Sequence, residues 1–175
     1  MTTATVSPTF ESVEVGQELP PLGVPLTRTL IVATAIASRD YQDVHHDPDL
    51  AVDRGSPDIF MNILTTNGFV GRFITDWAGP DAILTNVSIR LGAPNYPGDT
   101  MTLSGNISAK DAETSSITVD VVGANSRGDH VTGTVTLVLP RNADVESGHL
   151  GTTTAPGSTA GDGGLGTTPE SGGTA

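Results

Sequence analysis

Residues 57–77 read as the longest helical candidate in the chain, and the segments after it leave few ways to bury it. Ile59, Ile63, Phe69, Phe73 and Ile74 recur at helical spacing, and Leu64, Val70 and Trp77 widen the apolar face. A face this broad needs protein on most sides. Ser56 is placed to cap the run before Pro57, and Ala78-Gly79-Pro80 ends it. The apolar period then drops to two. Val87, Ile89 and Leu91 alternate with polar residues, as do Met101, Leu103 and Ile107, then Ile117, Val119 and Val121, then Val131, Val135 and Leu137. Turn phrases separate these stretches: Pro94-Asn95-Tyr96-Pro97-Gly98-Asp99, Asp111-Ala112-Glu113 and Ser126-Arg127-Gly128-Asp129. The pattern predicts an α+β domain in which a four-stranded antiparallel meander curves around one long helix.

Upstream, residues 10–21 read as an irregular leader. Residues 29–38, with Leu30, Ile31, Ala33, Ala35 and Ala37, suit a short buried helix, and Asp40 comes at its end. Asp47-Pro48 reads as an N-cap followed by the first helical position, with Gly55 stopping that helix after Arg54. Residues 1–9 are expected to be a flexible N-terminus and residues 10–140 one domain. Residues 141–175 are Gly/Thr/Ser/Pro-rich and too poor in apolar side chains to offset the entropy of ordering, so a disordered tail is expected.

The charge narrows the partners. A net −12, with seven arginines and the single Lys110, argues against nucleic acid and an anionic membrane surface, both of which want clustered cations. It leaves room for an anionic small molecule. With no cysteine there is no disulfide, thiolate nucleophile or Cys-based zinc site. No apolar run reaches membrane-spanning length and the N-terminus does not read as a signal peptide, so a soluble cytoplasmic protein is expected.

The chemistry-bearing candidates are Asp40 and His45, five residues apart in a chain with four histidines. A carboxylate and a neutral imidazole converging on one water make a general acid–base pair. The bland alternative is a turn-capping Asp40 and a satisfied, partly buried His45.

Several phrases together carry a resemblance. Arg39-Asp40-Tyr41-Gln42-Asp43-Val44-His45-His46-Asp47 resembles the segment Gly-Asp-x-Asn-Pro-x-His-x-Asp of the MaoC-like, R-specific enoyl-CoA hydratases, which have the hotdog fold. The leader from Phe10 to Leu19, the phrase Pro97-Gly98-Asp99-Thr100 and the phrase Asn125-Ser126-Arg127-Gly128-Asp129 match the family in order, so the resemblance covers nearly all of residues 10–140. Two positions depart from it. Gln42-Asp43 replaces the family's Asn-Pro, and Phe60-Met61-Asn62 replaces its His-Gly-Met. With Gly55-Ser56-Pro57-Asp58 and Thr75-Asp76-Trp77-Ala78-Gly79-Pro80, these make the chain similar to the small MaoC-like subunit of actinobacterial steroid side-chain hydratases.

The resemblance implies catalysis by Asp40 and His45 without cofactor or metal. It implies an oxyanion donor at the Met61 backbone N–H, where the family uses a glycine, and substrate contacts at Phe60 and Asn62. It implies an enoyl-CoA thioester substrate from cholesterol or steroid degradation. It also implies a heteromer with a second MaoC-like subunit, through which a thiolase-like aldolase can be linked. Against these stand simpler roles. Asn62 is equally a helix-surface amide. Phe60, Phe69, Phe73 and Trp77 are core residues before they are a pocket. Arg72 and Arg90 are solvated before they are CoA contacts, and Asp99 and Asp129 are turn residues. His46 is a solvent-exposed neighbour and Asp47 a helix cap. Two other functions compete. One is a non-catalytic hotdog subunit that completes a heteromer and shapes its pocket. The other is a thioesterase, which would want a carboxylate along the central helix, where only Asp58 and Asp76 flank the run.

Overall fold

The computed structural model describes residues 7–146. A 3-10 turn, Phe10–Ser12, opens the chain. After it come β1 (Leu22–Pro25), α1 (Arg28–Ala37), a second 3-10 turn (Asp43–His45), α2 (Pro48–Asp53) and α3 (Ile63–Ala78). Then come β2 (Ile83–Leu91), β3 (Thr100–Asp111), β4 (Ser116–Asn125), β5 (Gly128–Val138) and a last turn, α4 (Asn142–Glu146). The expectations for 1–9 and 141–175 lie mostly outside the described residues.

The α+β architecture forms as expected, with one strand more and another order. The five strands run β1-β3-β4-β5-β2, all neighbours antiparallel. Only β3, β4 and β5 form a meander, because β2 pairs with β5 rather than with β3. The link from β2 therefore crosses the ends of the intervening strands. Gly92 and Ala93 N–H groups bond to His130 and Asp129 carbonyls, and Gly98 N–H reaches Leu26 O on the β1 side. The short β1, flanked by prolines, has too little alternation to be read in advance.

The period-two pattern is what buries the inner face. Leu103 faces Gly123 and Ile107 faces Val119 across β3 and β4, while Ile117 faces Leu137 and Val119 faces Val135 across β4 and β5. All of them are buried. At Gly105 a Cβ would sit 3.2 Å from the Phe73 ring and 2.7 Å from Asp120 O, so glycine lets α3 lie directly on the sheet. Val70, Phe73 and Ile74 point into that contact. The sole lysine, Lys110, donates to Phe10 O and Val13 O and ties the leader down.

The two sheet edges differ. Leader residues Gly16 and Leu19 extend β1's cover of β3 by donating to Ile107 O and Gly105 O. β2 is nine residues long, its outer edge has no strand partner among the described residues, and Ile83, Leu84 and Leu91 are exposed on it. A long uncovered apolar edge is a template for another chain.

Helix α3 begins six residues later than its apolar spacing predicts. Asn62, not Ser56, is its N-cap, accepting from Thr65 N–H at 2.9 Å. Residues 57–61 stay outside the helix, and distant partners hold the last two of them. Phe60 N–H donates to Val44 O and Met61 N–H to Asn95 O, both at 3.0 Å, and a helix would forfeit both bonds. The Asp47 cap and Pro48 start of α2 form as expected.

Candidate active site

Asp40 is delivered by the way α1 ends. Arg39 N–H bonds back to Ile36 O and Asp40 N–H to Ala35 O, with Arg39 at φ 58 between them. This double closure normally takes glycine at the left-handed position. An arginine there carries a steric cost that the surrounding bonds must sustain, a pattern common beside functional groups. Four residues on, the 3-10 turn Asp43–His45 swings the His45 ring inward, leaving it 6% exposed.

The His45 tautomer is set by its partners. Nδ1 lies 2.7 Å from Phe60 O, and a carbonyl only accepts, so Nδ1 carries the hydrogen and a neutral ring presents a lone pair at Nε2. The Phe60 ring stands edge-on to the imidazole at 5.0 Å. Nε2 faces Asp40 Oδ2 across 3.4 Å. Two acceptors at that separation repel unless a hydrogen lies between them. A water beside the gap can donate one hydrogen to each and have its oxygen activated by both.

Asn62 turns the carboxylate. Its Nδ2 donates to Asp40 Oδ2 at 3.0 Å and to Ser38 Oγ at 2.9 Å, and the residue is 2% exposed. Asn62 is therefore not the surface amide of one expectation but a buried amide shared by two helix ends, and it also lines the cavity. Phe60 does line the cavity, with its carbonyl holding His45.

The cavity, about 400 Å³, is bounded by Asp40, His45, Phe60, Asn62, Ile63 and Leu91, with His130 behind them. Met61 does not supply the free donor expected of it. Its N–H is spent on Asn95 O and its side chain is buried among core residues. The free donors lie two and three residues on. Ile63 and Leu64 N–H find no acceptor among the described residues, at the positive end of α3's dipole, and Ile63 borders the cavity.

His130 is not legible as a site residue in the sequence. Strand alternation assigns it to the side opposite Val131, yet it is 2% exposed, because β5 shifts register there and the 92–95 link covers it. Nδ1–H donates to Ala93 O at 2.6 Å, so Nε2 accepts the Thr66 hydroxyl at 2.8 Å. Burial lowers its pKa from the ordinary 6.5, with the Ala93 bond opposing. The folded ring resists a proton that the unfolded chain takes up near pH 6.5, so this contribution to stability is full above that pH and is lost as pH falls below it. Melting temperature should fall between about pH 7.5 and 5.5, and His130→Gln should flatten that slope. An equally steep slope in the variant would assign it elsewhere. Asp99 and Asp111, both lowered from 3.8 mainly by hydroxyl hydrogen bonds from Ser126 and Thr114, act only in a more acidic window.

The remaining candidates disperse. Asp43 pairs with Arg54 at 2.6 Å, His46 Nε2 lies near Tyr41 O, and Asp47 caps α2, so these do not converge with His45 on a metal. Among the described residues no group of three or more acidic or histidine side chains is arranged to hold one. Arg28 holds Asp58, and Arg72 pairs with Asp76. Arg90 is exposed on β2.

A second hollow adjoins the first. A groove of about 370 Å³ runs between α1 and α3, lined by Thr34, Ala37, Ser38, Leu64, Gly68 and Phe69. Its wall residue Ser38 accepts from Asn62, which lines the Asp40 cavity. A Cβ on Gly68 would meet nothing within 4 Å, so this glycine is not required by packing and leaves the groove floor open.

No protein-family model matches the chain. A curated Mycobacterium tuberculosis protein, the 3-oxo-4,17-pregnadiene-20-carboxyl-CoA hydratase beta subunit, is 54% identical over 125 residues, 71% of this chain and 95% of that one. One chain in the crystal structure of the ChsH1–ChsH2 complex of M. tuberculosis matches with TM-score 0.70 at 53% identity, covering 72% of this chain and 98% of its own length. The (R)-hydratase of A. caviae involved in PHA biosynthesis matches with TM-score 0.69 at 22% identity, covering 74% and 99%, a likeness of fold. The fold is the hotdog arrangement, a curled antiparallel sheet around α3. Among the described residues no helix is long and apolar enough to cross a membrane.

Proposed function

This chain belongs to the MaoC-like (R)-hydratase family, beside the steroid side-chain hydratase beta subunits, and from that membership we propose that it is the catalytic subunit of a heteromeric enoyl-CoA hydratase. The substrate is a bulky enoyl-CoA, a steroid side-chain thioester met in cholesterol breakdown in the cytoplasm. The observation that carries this reading is the 3.4 Å gap between His45 Nε2 and Asp40 Oδ2, each side oriented by its own partner.

Water held beside that gap loses a proton to one of the pair as its oxygen bonds to the β-carbon. The electron pair of the double bond moves toward the thioester, whose oxygen becomes enolate-like. The pair then passes the proton taken from water to the α-carbon on the same face, giving syn addition and returning both groups to their starting state. The Ile63 N–H at the start of α3 takes the oxyanion role expected of Met61. The groove between α1 and α3 supports a ring-bearing acyl group, since it is apolar, lies within the usual size range of ligand pockets and has a wall residue, Ser38, bonded to Asn62 of the Asp40 cavity. The exposed β2 edge supports a second MaoC-like subunit as partner.

A second reading, a non-catalytic subunit, is favoured by the Met61 N–H being already taken. The two part on one assay. The chain reconstituted with a second MaoC-like subunit should hydrate a steroid side-chain enoyl-CoA at least about tenfold faster than a short linear one, and lose that activity with His45→Ala here. Undiminished turnover in the variant would make the subunit structural. Release of free CoA without hydration would revive the thioesterase reading.

A further inference from the structure

We propose that Asn62 is a positioning residue that sets the orientation of the Asp40 carboxylate, an inference that rests on the hydratase reading of Asp40 and His45. A carboxylate turns easily about its last side-chain bond. Apart from the Asn62 contact, Asp40 has only the Gln42 N–H on Oδ1, at a long 3.4 Å. Asn62 Nδ2 therefore decides which oxygen faces His45, and it holds Oδ2, the atom 3.4 Å from Nε2.

The network fixes the amide's own orientation. The Ser38 hydroxyl has one hydrogen and points it back at the α1 carbonyls, with Thr34 O at 2.8 Å, so its oxygen is left to accept from Asn62. Thr65 N–H needs an acceptor, and Asn62 Oδ1 supplies it at 2.9 Å. Flipping the amide would set Oδ1 against the Asp40 carboxylate and the amide nitrogen against Thr65 N–H, two repulsive contacts in place of bonds. Asn62 thus bolts the start of α3, with its free Ile63 N–H, to the end of α1, which carries Asp40. The general base and the oxyanion donor keep one spacing because a single buried side chain spans both.

The amide's two duties can be separated. Asn62→Ser keeps a good helix cap for Thr65 N–H but is too short to reach Asp40. In the complex with the partner subunit, kcat should fall about 10–100-fold with KM within twofold and the melting temperature nearly unchanged. Introduced into Asp40→Asn, the same change should cost nothing further, because its effect acts through the carboxylate. Wild-type kcat in Asn62→Ser overturns the inference. So does a rise in KM with kcat preserved, which would return Asn62 to substrate contact, or a full further loss in the Asp40→Asn background. If Asn62→Ser melts early, Asn62→Asp provides the test. It caps α3 at least as well but sets a second carboxylate against Asp40, so it should be folded and slower still, and a folded Asn62→Asp enzyme of wild-type rate overturns the inference too. If Asp40→Asn alone stays active, it is the hydratase reading that fails. If Asp40→Asn is dead and Asn62→Ser is not, only the positioning role fails.

Discussion

Asp40→Asn should lower kcat for hydration by about 10²–10⁴-fold, the range for removing a positioned acid–base group, with the fold intact. The replacement is nearly isosteric. Its oxygen can still accept from Asn62 Nδ2, so the bond that joins α1 to α3 survives. What disappears is the negative charge and the ability to take a proton from water held against His45 Nε2. Far-ultraviolet circular dichroism and thermal melts should overlay those of the wild type, while steady-state hydration of the enoyl-CoA collapses. A variant complex retaining more than about a tenth of the activity would mean that the chemistry lies elsewhere, on the partner subunit or on another group.

Phe73→Ala should cost about 3–5 kcal/mol, the largest single effect on stability we expect. The ring is 2% exposed, sits between Val70 and Ile74 on α3 and fills the space that Gly105 leaves on β3. Neither side can collapse into the void. The helix is tied at its start by Asn62 and the sheet by ladders on both sides of β4. Melting temperature should drop by about 10 °C or more in a domain of this size. A loss below about 1 kcal/mol would show that α3 does not bear on the sheet through this ring.

Much of the fold and half of the site are legible in the residues. Alternation at Ile117, Val119 and Val121, and at Val131, Val135 and Leu137, gives strands because side chains on a pleat alternate faces whatever the strand pairs with. Asp47-Pro48 reads as a helix start because a cap needs only its own N–H groups. The pairing of Asp40 with His45 is short-range, set by one helix end and one 3-10 turn. Met61 misleads because its N–H partner, Asn95, is 34 positions away, and Asn62 because its partners Ser38 and Asp40 are 24 and 22 away. His130 stays hidden because a register shift, invisible in the alternation, turns it inward.

The sequence by itself determined the period of each element, the curved sheet on a helix, and a carboxylate and an imidazole set close together along the chain. These arise from local sterics and apolar spacing, which act over a few residues. Only the tertiary structure decided where α3 starts, that β2 lies beside β5, which N–H groups remain free for an oxyanion, and that Asn62 holds Asp40. Each of these depends on satisfying buried polar groups with partners distant in the chain. An unmade bond there costs more than a turn of helix returns, so the partner rather than the local pattern prevails.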